Sequence, residues 1–191
     1  PSAQLMWHYR TTNGLGFHEY LQLCEDLEME AMYVCNCGMS CQARHGGGFS
    51  EEATREYLEE ALHALEYALG SEDTPYGSLR AQYGRKEPFR LKYVEIGNEN
   101  FGPEYNARYE LFYHALKAAF PQVIYISNGH TEREKLPTDF ADEHYYDAPE
   151  FFLENVDLFD DYDRSGPNIF LGEYAVNGGN TIASMECALA E

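Results

Sequence analysis

Helix-spaced apolar patterns alternate with short β-rich runs along the whole chain, and turn residues mark each change of period. Phe17, Tyr20, Leu21, Cys24 and Leu27 share one face of a predicted helix. Glu30 to Cys37 reads as a strand closed by Gly38. Ser50 caps a long helix with Glu51 and Glu52 in its first turn, running to Leu69 and stopping at Gly70. Residues 71–90 read as a Pro/Gly-punctuated connector that packs down through Leu79, Tyr83 and Phe89. Leu91 to Asn98 is the next strand, and Pro103 opens a helix that ends before Pro121. Strands are expected at Val123 to Ser127, Asp139 to Tyr145 and Asn168 to Ala175, with a helix from Pro149 to about Asp163 and a last one from Thr181 to Glu191. This order predicts an α/β fold with a parallel sheet covered by helices. A doubly wound sheet and a (β/α)8 barrel both fit. Five recognisable strands are too few for a complete barrel, which takes about 250 residues.

Composition narrows the partners. The 191 residues hold 13 Lys+Arg against 33 Asp+Glu, a formal net charge of −20. Phosphate binding needs a basic footprint, so nucleic acid is excluded as a partner. Docking on anionic membranes is disfavoured for the same reason. No apolar run reaches the roughly 18 residues of a membrane span, and no basic stretch followed by an apolar run opens the chain. The chain starts at Pro1, and its last helix stops without a cap or polar tail, so both ends read as cut.

Five cysteines, Cys24, Cys35, Cys37, Cys41 and Cys187, cannot all pair within the chain. The odd number leans toward a reducing location, and the compartment stays open. Cys35, Cys37 and Cys41, with His45 as a fourth ligand, form a local cluster that invites a zinc reading. The spacing is not the usual paired C-x2-C, and buried or strand-end thiols are the simpler alternative.

Two glutamates carry the chemistry. Glu99 follows Gly97 and Asn98 at the end of YVEIGNE, and Glu173 follows Gly172 at the end of NIFLGE. Each is expected at the C-terminal edge of a parallel strand, where active sites of such folds lie. The preceding glycine removes a side chain from a crowded neighbourhood. Paired carboxylates on converging strands suit glycoside hydrolysis, one protonating the leaving oxygen and the other attacking or stabilising the sugar carbon. Asn98 can hold a sugar hydroxyl beside the acid, or serve as a turn residue. His144 and Tyr146 share a strand face and can position a carboxylate or bind a substrate hydroxyl. Most of the 16 Tyr and 11 Phe sit at core spacing; Tyr146 and Tyr174 are the ones expected to meet a sugar ring.

YVEIGNENFGPEYNARYELFYHALKAAFP, then DEHYY, then RSGPNIFLGEYAV, preceded by MWHYRTTNGLGFHEYLQLCEDLEMEAMYVCNCG, resembles glycoside hydrolase family 51, mostly α-L-arabinofuranosidases. The resemblance implies an incomplete catalytic domain over residues 1–191: about strands three to seven of a (β/α)8 TIM barrel of clan A. The first two strands, the last strand and a C-terminal β-sandwich would be absent. It also implies retaining release of terminal α-L-arabinofuranosyl residues from polymers such as arabinoxylan or arabinan, without metal or organic cofactor. Glu99 then matches the acid/base and Glu173 the nucleophile. Asn98, His144 and Tyr146 match substrate-binding positions, and Trp7 an aromatic near the leaving-group subsite. Family members often assemble as hexamers or smaller oligomers, so the parent is expected to self-associate. Asn128 to Phe140 is shorter than in many relatives and leaves little room for a helix. Another clan A glycosidase (an endoglucanase or xylosidase), a non-catalytic carbohydrate-binding remnant and a Cys-based metal scaffold are the alternatives.

Overall fold

The computed structural model describes residues 3–4, 10–41, 47–129, 136–177, 182 and 185. Two short strands, β1 (Ala3–Gln4) and β2 (Arg10–Thr11), pair antiparallel ahead of the main unit. The main unit alternates α1 (Phe17–Asp26), β3 (Ala31–Cys35), α2 (Glu51–Leu69), α3 (Pro75–Gln82), β4 (Leu91–Ile96), α4 (Gly102–Ala119), β5 (Ile124–Asn128), β6 (Phe140–Asp147), α5 (Pro149–Glu154) and β7 (Asn168–Val176). The five strands β3 to β7 pair in sequence order, all parallel. The sheet curls into a partial barrel of the (β/α)8 type, as its structural neighbours show.

Local chemistry explains most boundaries. Ser50 Oγ accepts the Ala53 N–H at 3.2 Å, satisfying one orphan donor where α2 begins. The helices press onto one face of the sheet: Leu65 and Ala68 of α2, Val94 and Ile96 of β4, and Tyr105, Tyr109, Phe112 and Leu116 of α4 are all fully buried in one cluster. On β3, Ala31 and Cys35 enter this core, whereas Met32 and Val34 on the other face are exposed. The concave face of the sheet is therefore open along β3. Among the described residues no helix is long and apolar enough to cross a membrane.

Two expectations need correction. The connector 71–90 contains α3, whose start carries its own signals: Thr74 Oγ1 accepts the Gly77 N–H at 3.2 Å, and Pro75 stands in the first turn. The helix from Pro149 stops at Glu154 instead of reaching Asp163. Asn155 takes the Phe151 carbonyl with both its backbone and side-chain N–H groups, and Asp157, Asp160 and Asp161 would load negative charge onto the negative end of a longer helix. The last helix, from Thr181, lies almost wholly outside the described residues; only Ile182 and Met185 are described, both helical. The expectation of no helix between β5 and β6 falls mostly on residues 130–135, which lie outside the described residues.

Arg80 is the fully buried cation of α3. Its Nη1 donates to the Tyr67 carbonyl of α2 at 2.6 Å and its Nη2 to the Lys86 carbonyl at 2.7 Å, tying α2, α3 and the approach to β4 together. Arg80→Leu leaves both carbonyls without that donor in a site closed to water, so the cost should be about 2–3 kcal/mol. Urea unfolding of the two proteins measures it, and an unchanged midpoint would show that the clamp contributes nothing.

Candidate active site

The strand ends carry the polar residues. Val94 and Ile96 of β4 face the helices, so Glu95 between them faces the concave side. After Ile96 the chain turns through Gly97 at φ 85°, and a Cβ there would stand 2.9 Å from the Oδ1 atoms of both Asn100 and Asn128. Tyr105 of α4 braces this turn by donating to the Ile96 carbonyl at 2.9 Å and accepting the Asn128 N–H at 2.7 Å. Glu99 itself sits in the left-handed region at φ 51°, a conformation that disfavours a side chain and is found at constrained sites. Asn98 is half-buried directly before it, with its N–H given to Asn100 Oδ1 at 3.1 Å.

On β6, Asp142, His144 and Tyr146 point to the same concave face. The register then decides where Glu173 goes. Glu143 pairs with Leu171, but His144 pairs with Glu173, so β7 holds one extra residue, Gly172. Without that irregularity Glu173 would align with Tyr145 and face the opposite way. Gly172 must lack a side chain, because a Cβ would fall 2.3 Å from Asp142 Oδ1. The same oxygen accepts the Gly172 N–H at 2.9 Å and holds the bulge in place.

The assembled constellation is tight. His144 Nδ1 lies 3.3 Å from Glu99 Oε1 and 3.6 Å from Glu173 Oε2. Its Nε2 lies 2.7 Å from Asp142 Oδ2. Tyr146 donates its phenolic hydrogen to Glu173 Oε2 at 2.6 Å, and the Cys41 thiol donates to Glu99 Oε2 at 2.9 Å. A carboxylate oxygen of Glu99 and one of Glu173 lie within 4.8 Å of each other.

Burial alone would lower the proton affinity of His144, but Asp142, Glu99 and Glu173 more than offset it and push the imidazole up to about 9. It is a cation at neutral pH. The Cys41 thiol, with His144 assisting, holds Glu99 below the ordinary carboxylate range against the opposing effect of burial. Burial pushes Glu95 the other way, and the neighbouring Asp142 charge adds to it, so Glu95 keeps its proton and shares a hydrogen bond with Asp142. Asn128 Nδ2 donates to Glu95 Oε1 at 2.6 Å from below. The Glu173 contact raises Tyr146 to about 12, so its hydroxyl stays protonated as the donor.

Of the expected residues, Glu99, Glu173, His144 and Tyr146 converge, and Asn98 adjoins them. Tyr174 does not: it follows Glu173 in β7 and projects from the opposite face. Trp7 and His45 lie outside the described residues. The cysteine cluster does not converge as a metal site would. Cys35 is buried in the helix-facing core, Cys37 contacts Asn100 Oδ1 at 3.6 Å, and Cys41 contacts Glu99. Among the described residues Glu99, His144 and Glu173 are the group with donor atoms close enough for a metal ion. A protonated imidazole offers no lone pair at Nδ1, so this trio is suited to sharing protons. Sequence reasoning missed Asp142, Glu95, Asn128 and the role of Cys41. Asp142 was findable from its place two residues before His144, and Glu95 as a lone acid inside an apolar strand.

The charge state of His144 makes stability depend on pH. An imidazole whose ordinary value of 6.5 rises to about 9 on folding stabilises the fold fully below about 6.5, and that contribution disappears as pH rises through about 9. Urea midpoints should therefore fall between these pH values, and fall less in His144→Gln. Equal pH slopes in the two proteins would remove His144 as the cause.

With this geometry in view, the comparisons with known proteins agree. The family model of the alpha-L-arabinofuranosidase 1 domain matches residues 1–164. Alpha-L-arabinofuranosidase 1 of Arabidopsis thaliana is 37% identical over 190 residues, covering 97% of this chain and 27% of that protein. The probable alpha-L-arabinofuranosidase A of Aspergillus flavus is 37% identical over 199 residues, covering 100% of this chain and 32% of its own length. The solved structure of an arabinose-bound GH51 α-L-arabinofuranosidase superposes with a TM-score of 0.83 at 34% identity, covering 92% of this chain and 28% of that one. The chain thus spans about a quarter to a third of these relatives. By the match of the family model along most of its length, and by the curled sheet it shares with these enzymes, the chain belongs to the GH51 α-L-arabinofuranosidase family.

Proposed function

We propose that this chain carries the two catalytic carboxylates of a retaining glycoside hydrolase. The enzyme releases terminal α-L-arabinofuranosyl residues from arabinose-containing polysaccharides or oligosaccharides such as arabinoxylan and arabinan. The observation that carries the reading is the approach of Glu99 and Glu173 to within 4.8 Å between oxygens. Retaining enzymes keep their carboxyl groups about 5–5.5 Å apart, whereas inverting ones leave about 6.5–9.5 Å for a water. The names of the relatives, one of them solved with arabinose bound, supply the sugar.

Roles follow from the contacts. Glu173 Oε2 is engaged by Tyr146 and faces the His144 cation, which leaves Oε1 to attack the anomeric carbon. Glu99 in its protonated form gives its proton to the departing glycosidic oxygen as that bond breaks. The resulting glycosyl ester on Glu173 is then opened by a water whose proton Glu99 takes, restoring both groups. The low proton affinity of Glu99 in the empty site suits its basic second step. The His144 cation, within 3.6 Å of both, lets the two acidic side chains stand this close. Asn98, beside Glu99, is placed to hold a hydroxyl of the bound sugar.

The catalytic unit of this reading is larger than five strands. We place the remaining barrel strands and a β-sandwich in a longer polypeptide, consistent with the share of the relatives that this chain spans and with the exposed Met32 and Val34 on the open concave face.

Two measurements test the proposal. In the full-length protein, an aryl α-L-arabinofuranoside should be hydrolysed, Glu173→Ala should lose turnover by orders of magnitude, and azide should restore it as an arabinosyl azide. Turnover of an aryl β-glucoside in its place, or an active Glu173→Ala protein, would refute the assignment. Separately, the 191-residue chain alone should show little or no turnover under conditions where the longer protein is active. Full activity of the short chain would show that five strands suffice.

A further inference from the structure

Cys41, the last cysteine of the local cluster, occupies a built position beside Glu99. The segment after β3 turns on Asn36, whose Oδ1 accepts the N–H groups of Gly38 at 2.7 Å and Met39 at 3.2 Å. Arg108 of α4 donates to the Gly38 carbonyl at 3.1 Å and to the Phe49 carbonyl at 2.7 Å, pinning both sides of the loop. Asn100, one residue past Glu99, donates from Nδ2 to the Ser40 carbonyl at 3.0 Å and accepts the Cys37 thiol. The residue after Ser40 is thereby delivered to Glu99 through a clasp that includes the neighbour of Glu99 itself.

We propose that Cys41 is a positioning residue for the acid/base Glu99, its thiol holding Oε2 so that the carboxylate is oriented and its proton affinity set. This rests on the reading of Glu99 given above. The two oxygens of Glu99 face different donors: Oε1 meets the His144 cation and Oε2 meets the thiol. A cationic imidazole can only donate to Oε1, whereas the thiol can turn its hydrogen away from Oε2 and accept in turn, so Oε2 is the oxygen better placed to carry the proton of the acid form. That oxygen is therefore the one that protonates the leaving group, and the thiol marks the side from which the leaving group oxygen approaches. A thiol is a weak donor, so it can hold the empty carboxylate and yield to the substrate oxygen. Among the described residues, the other charged or titratable groups around Glu99 are His144 and Tyr146 of β6 and Glu173 of β7, with Asp142 and Glu95 behind the imidazole.

The test uses the full-length protein and two substitutions that differ only in the donor. Cys41→Ala removes the hydrogen bond and Cys41→Ser keeps one. Carboxyl carbon-13 NMR, with the Glu99 signal assigned by its loss in Glu99→Gln, reads the titration of Glu99 directly and needs no turnover. The expected result is a rise of about half a pH unit to one in Cys41→Ala, with Cys41→Ser at or below the wild-type value. The alkaline limb of kcat/KM on an aryl α-L-arabinofuranoside should move upward with it in Cys41→Ala and stay in Cys41→Ser. Titration of Glu99 unchanged in Cys41→Ala, or moved equally by both substitutions, would overturn the proposal. A protein inert toward arabinofuranosides that still showed the split would retire the functional reading and leave Cys41 assigned to Glu99.

Discussion

His144 is the contact on which the rest of the site depends. Three carboxylates, from Asp142, Glu99 and Glu173, converge on one imidazole, and only a cation makes such crowding tolerable. Like charges at these distances, in a pocket partly shielded from water, would otherwise drive protons onto one of them. Asp142 fixes the ring through Nε2 and leaves Nδ1 between the two glutamates. Beneath Asp142, Glu95 keeps its proton because burial forbids another charge there. The charge balance of the site is thus set from the floor upward: a neutral acid, an anion, a cation, then two reactive carboxylates.

The backbone supplies the convergence, and it does so at two glycines for two reasons. Gly97 lets the chain turn left-handed against two asparagine side chains, which brings Glu99 back over the strand ends. Gly172 is the extra residue of a bulge that turns Glu173 onto the concave face and leaves room for Asp142. The same Asp142 therefore orients His144 with one oxygen and locks the bulge with the other. Its loss would disturb the cation and the placement of Glu173 together.

The order of the elements was legible because period, caps and glycine stops agree along the chain. Ser50 and Gly70 bracket α2 as their residue types imply. Where signals conflicted, the reading failed: Pro75 and Gly77 disguised α3 as a connector, and the aromatic spacing beyond Glu154 outweighed the aspartates that end α5. Glu99 and Glu173 were legible as acids behind glycines at strand ends, and His144 and Tyr146 as neighbours on one strand face. Tyr174 was misjudged because adjacency in sequence means opposition across a strand.

By itself the sequence determined that strands and helices alternate, that paired acids stand at two strand ends, and that the pattern belongs to GH51. Those features are local, written in side-chain type and spacing. Only the tertiary structure decided that Glu173 faces inward, since that depends on one unpaired residue between two strands nearly thirty positions apart. It also decided that Cys41 attends Glu99 across 58 positions rather than a metal beside its neighbouring cysteines. Register and loop closure are properties of how strands meet, and no run of residues read alone contains them.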